Sequence, residues 1–226
     1  MKKTKNIIVV SAHPDDEILG VGGTLMKHKK KEDVITWIIA TEINIKMGFS
    51  KDQINSRKKE IEQIKNKIGI SKVHNFNYPT TSLSSSSVNE LIPKISEIFK
   101  KCKPEIIYVV NRSDAHSDHR HLFNAVFACT KSFRHNYIKK VLMYECISET
   151  EFAPALPENQ FIPNYFVNIT NEIDDKIKLM EVYKSELGIH PFPRSIENIK
   201  ALAKYRGAMV GANYAEAFSV LKIIKS

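Results

Sequence analysis

The chain has 226 residues, with 34 Lys and Arg against 25 Asp and Glu, a formal net charge of +9 at pH 7. That length holds one α/β domain whose core needs no covalent staples, so residues 1–226 are read as a single domain. Three widely spaced cysteines, Cys102, Cys129 and Cys146, form no CxxC pair, which excludes a disulfide framework and a thiolate metal site and fits a reducing compartment. The basic amino terminus precedes an apolar run that breaks at His13, too short for a signal peptide or a membrane span, and a soluble cytoplasmic protein is expected. The lysines are scattered without interleaved aromatics, as on a solvated surface and not a nucleic-acid interface; their field would still draw in an anionic substrate such as a phosphate-bearing sugar.

In chain order, short apolar runs alternate with helical patterns, the form of a parallel sheet wound with crossover helices. Strands are predicted over 7–10, 34–40, 73–76, 106–110 and 141–144, and helices over 16–30, 51–67, 88–101 and 119–133. Ser50 is the expected N-cap of the second helix and Gly69 its terminator. The serine run 84–87 reads as a loop. A strand over 165–169 precedes Thr170, taken as the N-cap of a helix reaching Leu187, and Gly188 stops it. A loop with His190, Pro191, Phe192, Pro193 and Arg194 follows, then a helix through Ile199, Leu202 and Ala203, and an apolar segment over 218–224.

Two acidic histidine clusters follow two of these strands. Ile7-Ile8-Val9-Val10 leads into His13-Pro14-Asp15-Asp16-Glu17, and Ile106-Ile107-Tyr108-Val109-Val110 leads into Asp114-Ala115-His116-Ser117-Asp118-His119. Each sits past a strand's carboxyl end, where open α/β sheets place their chemistry. If a helix starts after Pro14, His13 and Asp16 face one point and Asp15 projects beside it, so Asp16 reads as a ligand and Asp15 as a free carboxylate. His116 and His119 share that spacing, and one can bind while the other stands beside the ion. Two nitrogens and a carboxylate favour zinc, with iron(II) or cobalt fitting almost as well. Such an ion activates water, Asp15 takes its proton, and a cationic histidine beside the ion stabilises the oxyanion and protonates the departing amine. Those parts suit an amidase. One cluster alone would read as a capped helix start; two, each after a parallel-type strand, argue for a site. Gly20-Val21-Gly22-Gly23 lacks GxGxxG order and follows the acids, so it reads as close packing on the sheet and not as a dinucleotide loop.

Ala12-His13-Pro14-Asp15-Asp16-Glu17 and Asp114-Ala115-His116-Ser117-Asp118-His119-Arg120 resemble the two motifs of the LmbE-like or PIG-L-like de-N-acetylases, zinc enzymes that remove acetyl groups from N-acetylglucosamine-type conjugates. The resemblance implies a Rossmann-like three-layer α/β/α fold with a mostly parallel sheet and a single deacetylase domain. It implies that His13, Asp16 and His119 bind zinc, that Asp15 is the general base, that His116 supports the oxyanion or leaving group, and that Asp118 tunes His116. Arg57, in a helix that resembles the family's second, is a substrate-binding candidate. The ending Arg206-Gly207 with Tyr214 to Phe218 is also similar. Two features depart from the pattern: Thr41-Glu42-Ile43 lacks a glycine and Tyr78-Pro79-Thr80-Thr81 lacks an acid. His190 and Arg194, on a proline-stiffened arm, are the expected replacements for sugar contacts. The expected reaction is zinc-dependent removal of an N-acetyl group from an amino sugar or sugar conjugate. A metal-dependent amidase acting on a non-sugar N-acyl compound is the alternative, and homo-oligomers are common in the family.

Overall fold

Residues 4–225 are described by the computed structural model. Ile7, Ile8, Val9 and Val10 are buried on both sides of their strand, as an uninterrupted β-branched run requires when helices cover both faces of a parallel sheet. The strands are β1 (Asn6–Ser11), β2 (Val34–Glu42), β3 (Lys72–Pro79), β4 (Ile106–Val110), β5 (Lys140–Tyr144), β6 (Tyr165–Asn168) and β7 (Ala215–Ile223). They form one sheet in the order β3-β2-β1-β4-β5-β7-β6, in which β7 alone runs against its neighbours. The helices are α1 (Asp16–Lys30), α2 (Lys51–Ile68), α3 (Ser85–Cys102), α4 (Ser117–Ala128), α5 (Ile173–Met180) and α6 (Ile196–Ala208). α1 packs against α2 and α5, and α3 against α4, giving the two helical layers of a three-layer α/β/α fold. No helix among the described residues is long and apolar enough to cross a membrane.

The neighbours β1 and β4 lead in opposite directions, β1 through α1 to β2 and β4 through α4 to β5. Their carboxyl ends therefore border the crevice that forms where strand order reverses.

Ser50 caps α2 by accepting from Gln53 N, and Gly69 ends it at φ 77°. Several predicted stretches differ: α4 ends at Ala128 and not at 133, and the N-cap of α5 is Glu172 and not Thr170. The serine run opens α3, with Ser87 Oγ accepting from Ser84 N. The helix expected to reach Leu187 ends at Met180, because Tyr183 turns inward to donate to Glu17 Oε1 at 2.8 Å.

The glycines of α1 serve packing. A Cβ on Gly20 would lie 2.1 Å from Tyr144 Cδ2, and one on Gly23 would lie 2.7 Å from Ile169 Cγ2. Through this close approach Glu216 of β7 accepts from Gly23 N (2.8 Å), Thr24 N (2.7 Å) and Lys176 Nζ (2.8 Å). Lys176 also donates to Leu19 O at 2.7 Å, the carbonyl that Gly23 N would use in an unbroken helix. A buried ion pair is thus spliced into α1, and Glu216 has a structural role.

Candidate active site

Pro14 and the acids after it form the turn from β1 into α1. Asp15 occupies φ 136°, ψ −29°, a conformation that costs about 1–3 kcal/mol and persists only when its surroundings impose it. Those surroundings are specific. Asp15 N donates to Glu17 Oε2 (3.1 Å), Asp15 O accepts from Ile18 N and Leu19 N (both 2.9 Å), and Arg57 Nη1 donates to Pro14 O (2.9 Å). The Asp16 carboxylate turns back to accept from Ala12 N and His13 N, each at 2.9 Å.

One ligand atom each from His13, Asp16 and His119 lies within 4.8 Å of the others. His119 Nε2 is buried, has no hydrogen-bond partner, and stands 3.4 Å from Asp16 Oδ1 without the angle for a bond. Its far nitrogen, Nδ1, pairs with Asp114 Oδ2 at 2.8 Å, which holds the ring so that Nε2 faces Asp16. Asp114 is itself fixed by Asn111 Nδ2 and Thr150 Oγ1, each donating to Oδ1 at 2.7 Å. Two imidazoles, one of them presenting an orphaned, carboxylate-backed nitrogen, and one carboxylate fit a divalent metal ion.

His13, His116 and Asp118 also converge. Asp118 Oδ2 is 3.1 Å from His13 Nε2 and 3.9 Å from His116 Nδ1. Its oxygens accept from Thr81 N (2.7 Å) and Leu83 N (2.9 Å), tying this turn to the chain after β3. The nearer histidine is His13, because His116 spends its Nδ1 on capping α4, accepting from Asp118 N at 3.1 Å.

Charge states follow from burial. Desolvation, then the adjacent Asp16 carboxylate and Glu186, push the Asp15 carboxyl well above the usual range. Desolvation, then the His13 and His119 rings, push His116 down to about 4. That shift favours the neutral ring at pH 7, where a cationic histidine was expected from the sequence. With Nδ1 accepting, its proton sits on Nε2.

The expected substrate residues part company. Arg57 and Arg194 both line the cleft over the cluster, and both pair with Glu186. Arg57 also pairs with Glu60 at 3.0 Å. Arg194 reaches Ser148 Oγ at 3.0 Å. His190 is exposed, does not line the cleft, and lies 3.3 Å from Asn198 Oδ1. Glu42, the last residue of β2, does line it.

Sequence reasoning gave no role to Asp114, Glu17, Tyr183, Cys146 or Glu186. Asp114 stood five residues before His119, within reach as a backing carboxylate. Cys146 Sγ donates to Asp16 Oδ1 at 3.4 Å from the far end of β5, a contact no local pattern announces.

A family profile described as GlcNAc-PI de-N-acetylase (PIG-L) matches residues 8–130. Diacetylchitobiose deacetylase of Thermococcus kodakarensis is 23% identical over 231 residues, 94% of this chain and 81% of that protein. Among solved structures, the conserved protein TT1542 from Thermus thermophilus superposes with a TM-score of 0.77 at 24% identity, covering 99% of this chain and 97% of that one. A 4-carboxy-2-hydroxymuconate hydratase from Pseudomonas putida KT2440 shares the fold at 16% identity and a TM-score of 0.73, covering 99% of this chain and 98% of its own.

Proposed function

Since this chain belongs to the PIG-L (GlcNAc-PI de-N-acetylase) family, we propose that it is a zinc-dependent hydrolase that removes the acetyl group from an N-acetylated sugar conjugate, releasing acetate and a free amine. The observation that carries the reading is the buried, partnerless Nε2 of His119 facing Asp16, beside a buried carboxylate that is no part of the ligand set. The hydratase that shares the fold makes the fold alone insufficient; the donor set is what argues for hydrolysis.

His13, Asp16 and His119 would hold the ion, with Asp118 and Asp114 orienting the two imidazoles from behind. When bound, a divalent ion acts as a Lewis acid toward water and the amide carbonyl. Asp15, uncommitted to any side-chain partner, takes the proton of the attacking water. Its raised pKa suits it to keep that proton and pass it to the departing nitrogen, which cannot leave as an amide anion. Neutral His116 offers Nε2–H to the carbonyl oxygen as charge gathers there. Arg57 holds the Pro14 carbonyl and Glu17 the Asp15 amide, so the base stays aimed.

The test is to measure bound metal and acetate release over a panel of N-acetylhexosamine conjugates, for wild type and Asp15→Asn. Asp15→Asn should retain metal and lose about 10²–10⁴-fold in kcat, the usual share of a positioned base. Undiminished activity in that variant would refute the mechanism.

A further inference from the structure

Cys146 is a buried thiol, 1% exposed, that the proposed reaction does not use. It stands two residues beyond the end of β5, on the wall of the cleft, and its Sγ donates to Asp16 Oδ1 at 3.4 Å. That oxygen is the one nearest His119 Nε2, also at 3.4 Å.

The acceptor positions of the Asp16 carboxylate show what the thiol does. An ionised carboxylate offers about four lone-pair sites, two on each oxygen. Both on Oδ2 are taken by backbone donors, Ala12 N and His13 N, at 2.9 Å each. The Cys146 S–H takes one on Oδ1, so a single acceptor position is left, on the oxygen beside the unpartnered His119 Nε2. The two amides anchor one oxygen, about which the other would be free to swing. The thiol stops that swing.

Cys146 is itself held. Its backbone N donates to Thr150 Oγ1 at 2.8 Å, and the same hydroxyl donates to Asp114 Oδ1 at 2.7 Å. One short stretch after β5 therefore stands behind both buried members of the ligand cluster, Asp16 through the Cys146 thiol and His119 through Thr150 and Asp114. The thiol is not part of the donor set. Among the described residues, the groups whose ligand atoms lie within 4.8 Å of one another are His13, Asp16, His119 and His13, His116, Asp118, and neither includes Cys146. A hydroxyl at this position would hang on a shorter bond to Cβ and stand farther from Oδ1, so the contact uses the reach of sulfur.

We propose that Cys146 is a positioning residue of the metal site, its thiol holding the Asp16 carboxylate so that one acceptor position of Oδ1 is offered to the ion together with His119 Nε2. The inference rests on the metal-dependent deacetylase reading.

The experiment compares wild type, Cys146→Ala, Cys146→Ser and Cys129→Ala. The last removes another buried thiol, one that donates to Ile92 O at the carboxyl end of α4. Zinc affinity is measured by competition with a chromogenic chelator, the near-ultraviolet and visible spectrum is recorded with cobalt(II) in place of zinc, and acetate release is measured on N-acetylhexosamine conjugates. Cys146→Ala should bind zinc about tenfold more weakly, the lower end of the 10–100-fold that follows loss of a group orienting a ligand, because a thiol is a weak donor. Cys146→Ser should recover only part of that loss, and it keeps the comparison if Cys146→Ala does not fold. Cys129→Ala should match wild type. The cobalt spectrum of wild type should lack a thiolate-to-metal charge-transfer band, since the thiol donates to a ligand without becoming one. Equal affinity in wild type and the Cys146 variants, an equal loss in Cys129→Ala, or a charge-transfer band that Cys146→Ala abolishes overturns the inference even where acetate is released. If the ion binds and no conjugate releases acetate, the deacetylase reading fails and the affinities still decide Cys146. A wild type that binds no divalent ion overturns both.

Discussion

Breaking the Lys176–Glu216 pair should cost more than any surface ion pair in this protein. Both side chains are nearly inaccessible, at 4% and 3% exposure, so neither can recover water when its partner goes. Glu216→Gln keeps the shape but leaves one oxygen for three donors: Gly23 N, Thr24 N and the Lys176 ammonium. Removing one partner of such a pair costs about 3–5 kcal/mol, and about 3 kcal/mol is expected here because Leu19 O still accepts from Lys176. Lys176→Met should cost a similar ~3 kcal/mol, since Glu216 keeps its two backbone donors. In the double variant Leu19 O is freed for Gly23 N and α1 can close its own ladder. The combined loss should then be about 4 kcal/mol and not 6, a coupling of ~2 kcal/mol. Urea unfolding followed by circular dichroism and by Trp37 fluorescence is the assay. With m near 3 kcal/mol/M, each single variant should lower the midpoint by about 1 M. Additive losses, or a Glu216→Gln midpoint within about 0.2 M of wild type, a shift inside the ~0.5 kcal/mol usual for neutral surface changes, would refute the splice.

Asp114→Asn should weaken metal binding about 10–100-fold while the ligands stay in place, measured by competition with a chromogenic chelator. His116→Ala should lower kcat about 10²–10³-fold, as loss of an oxyanion donor does, and His116→Gln, which can still donate, should recover part of it. Because His116 is held near 4, kcat/KM should show no fall between pH 6 and 8 of the kind that titration of a required imidazolium would cause; such a fall would restore the cationic reading. Gly20→Ala should destabilise by about 1–3 kcal/mol in thermal unfolding, the cost of forcing a methyl group into packed Tyr144.

What was legible in the sequence was what lies close together along it. His13, Asp15 and Asp16 occupy one turn, His116, Asp118 and His119 another, and the β-branched runs before them announce two buried strands, so the crevice between β1 and β4 could be foreseen. Contacts between distant elements could not. Nothing local says that Tyr183 leaves the helix to meet Glu17, that Glu186 joins Arg57 to Arg194, or that Cys146 touches Asp16. His190 shows the opposite failure: proline-stiffened and polar, it suited a binding arm, yet its loop settles against α6 through Asn198. The charge of His116 was hidden because it depends on burial and on two neighbouring rings, which spacing does not encode.

The position of β7 bears on how the chain is made. Residues 6–144 contain five strands that can pair side by side as they emerge, together with every side chain of the ligand cluster. β6 has no sheet neighbour until residues 215–223 arrive to fill the gap between it and β5. During synthesis, then, a nascent chain already carrying its metal-binding groups would show the open edge of β5 and an α1 not yet clasped by Glu216. That interval is its most exposed to wrong strand pairing and the one in which a chaperone would matter most.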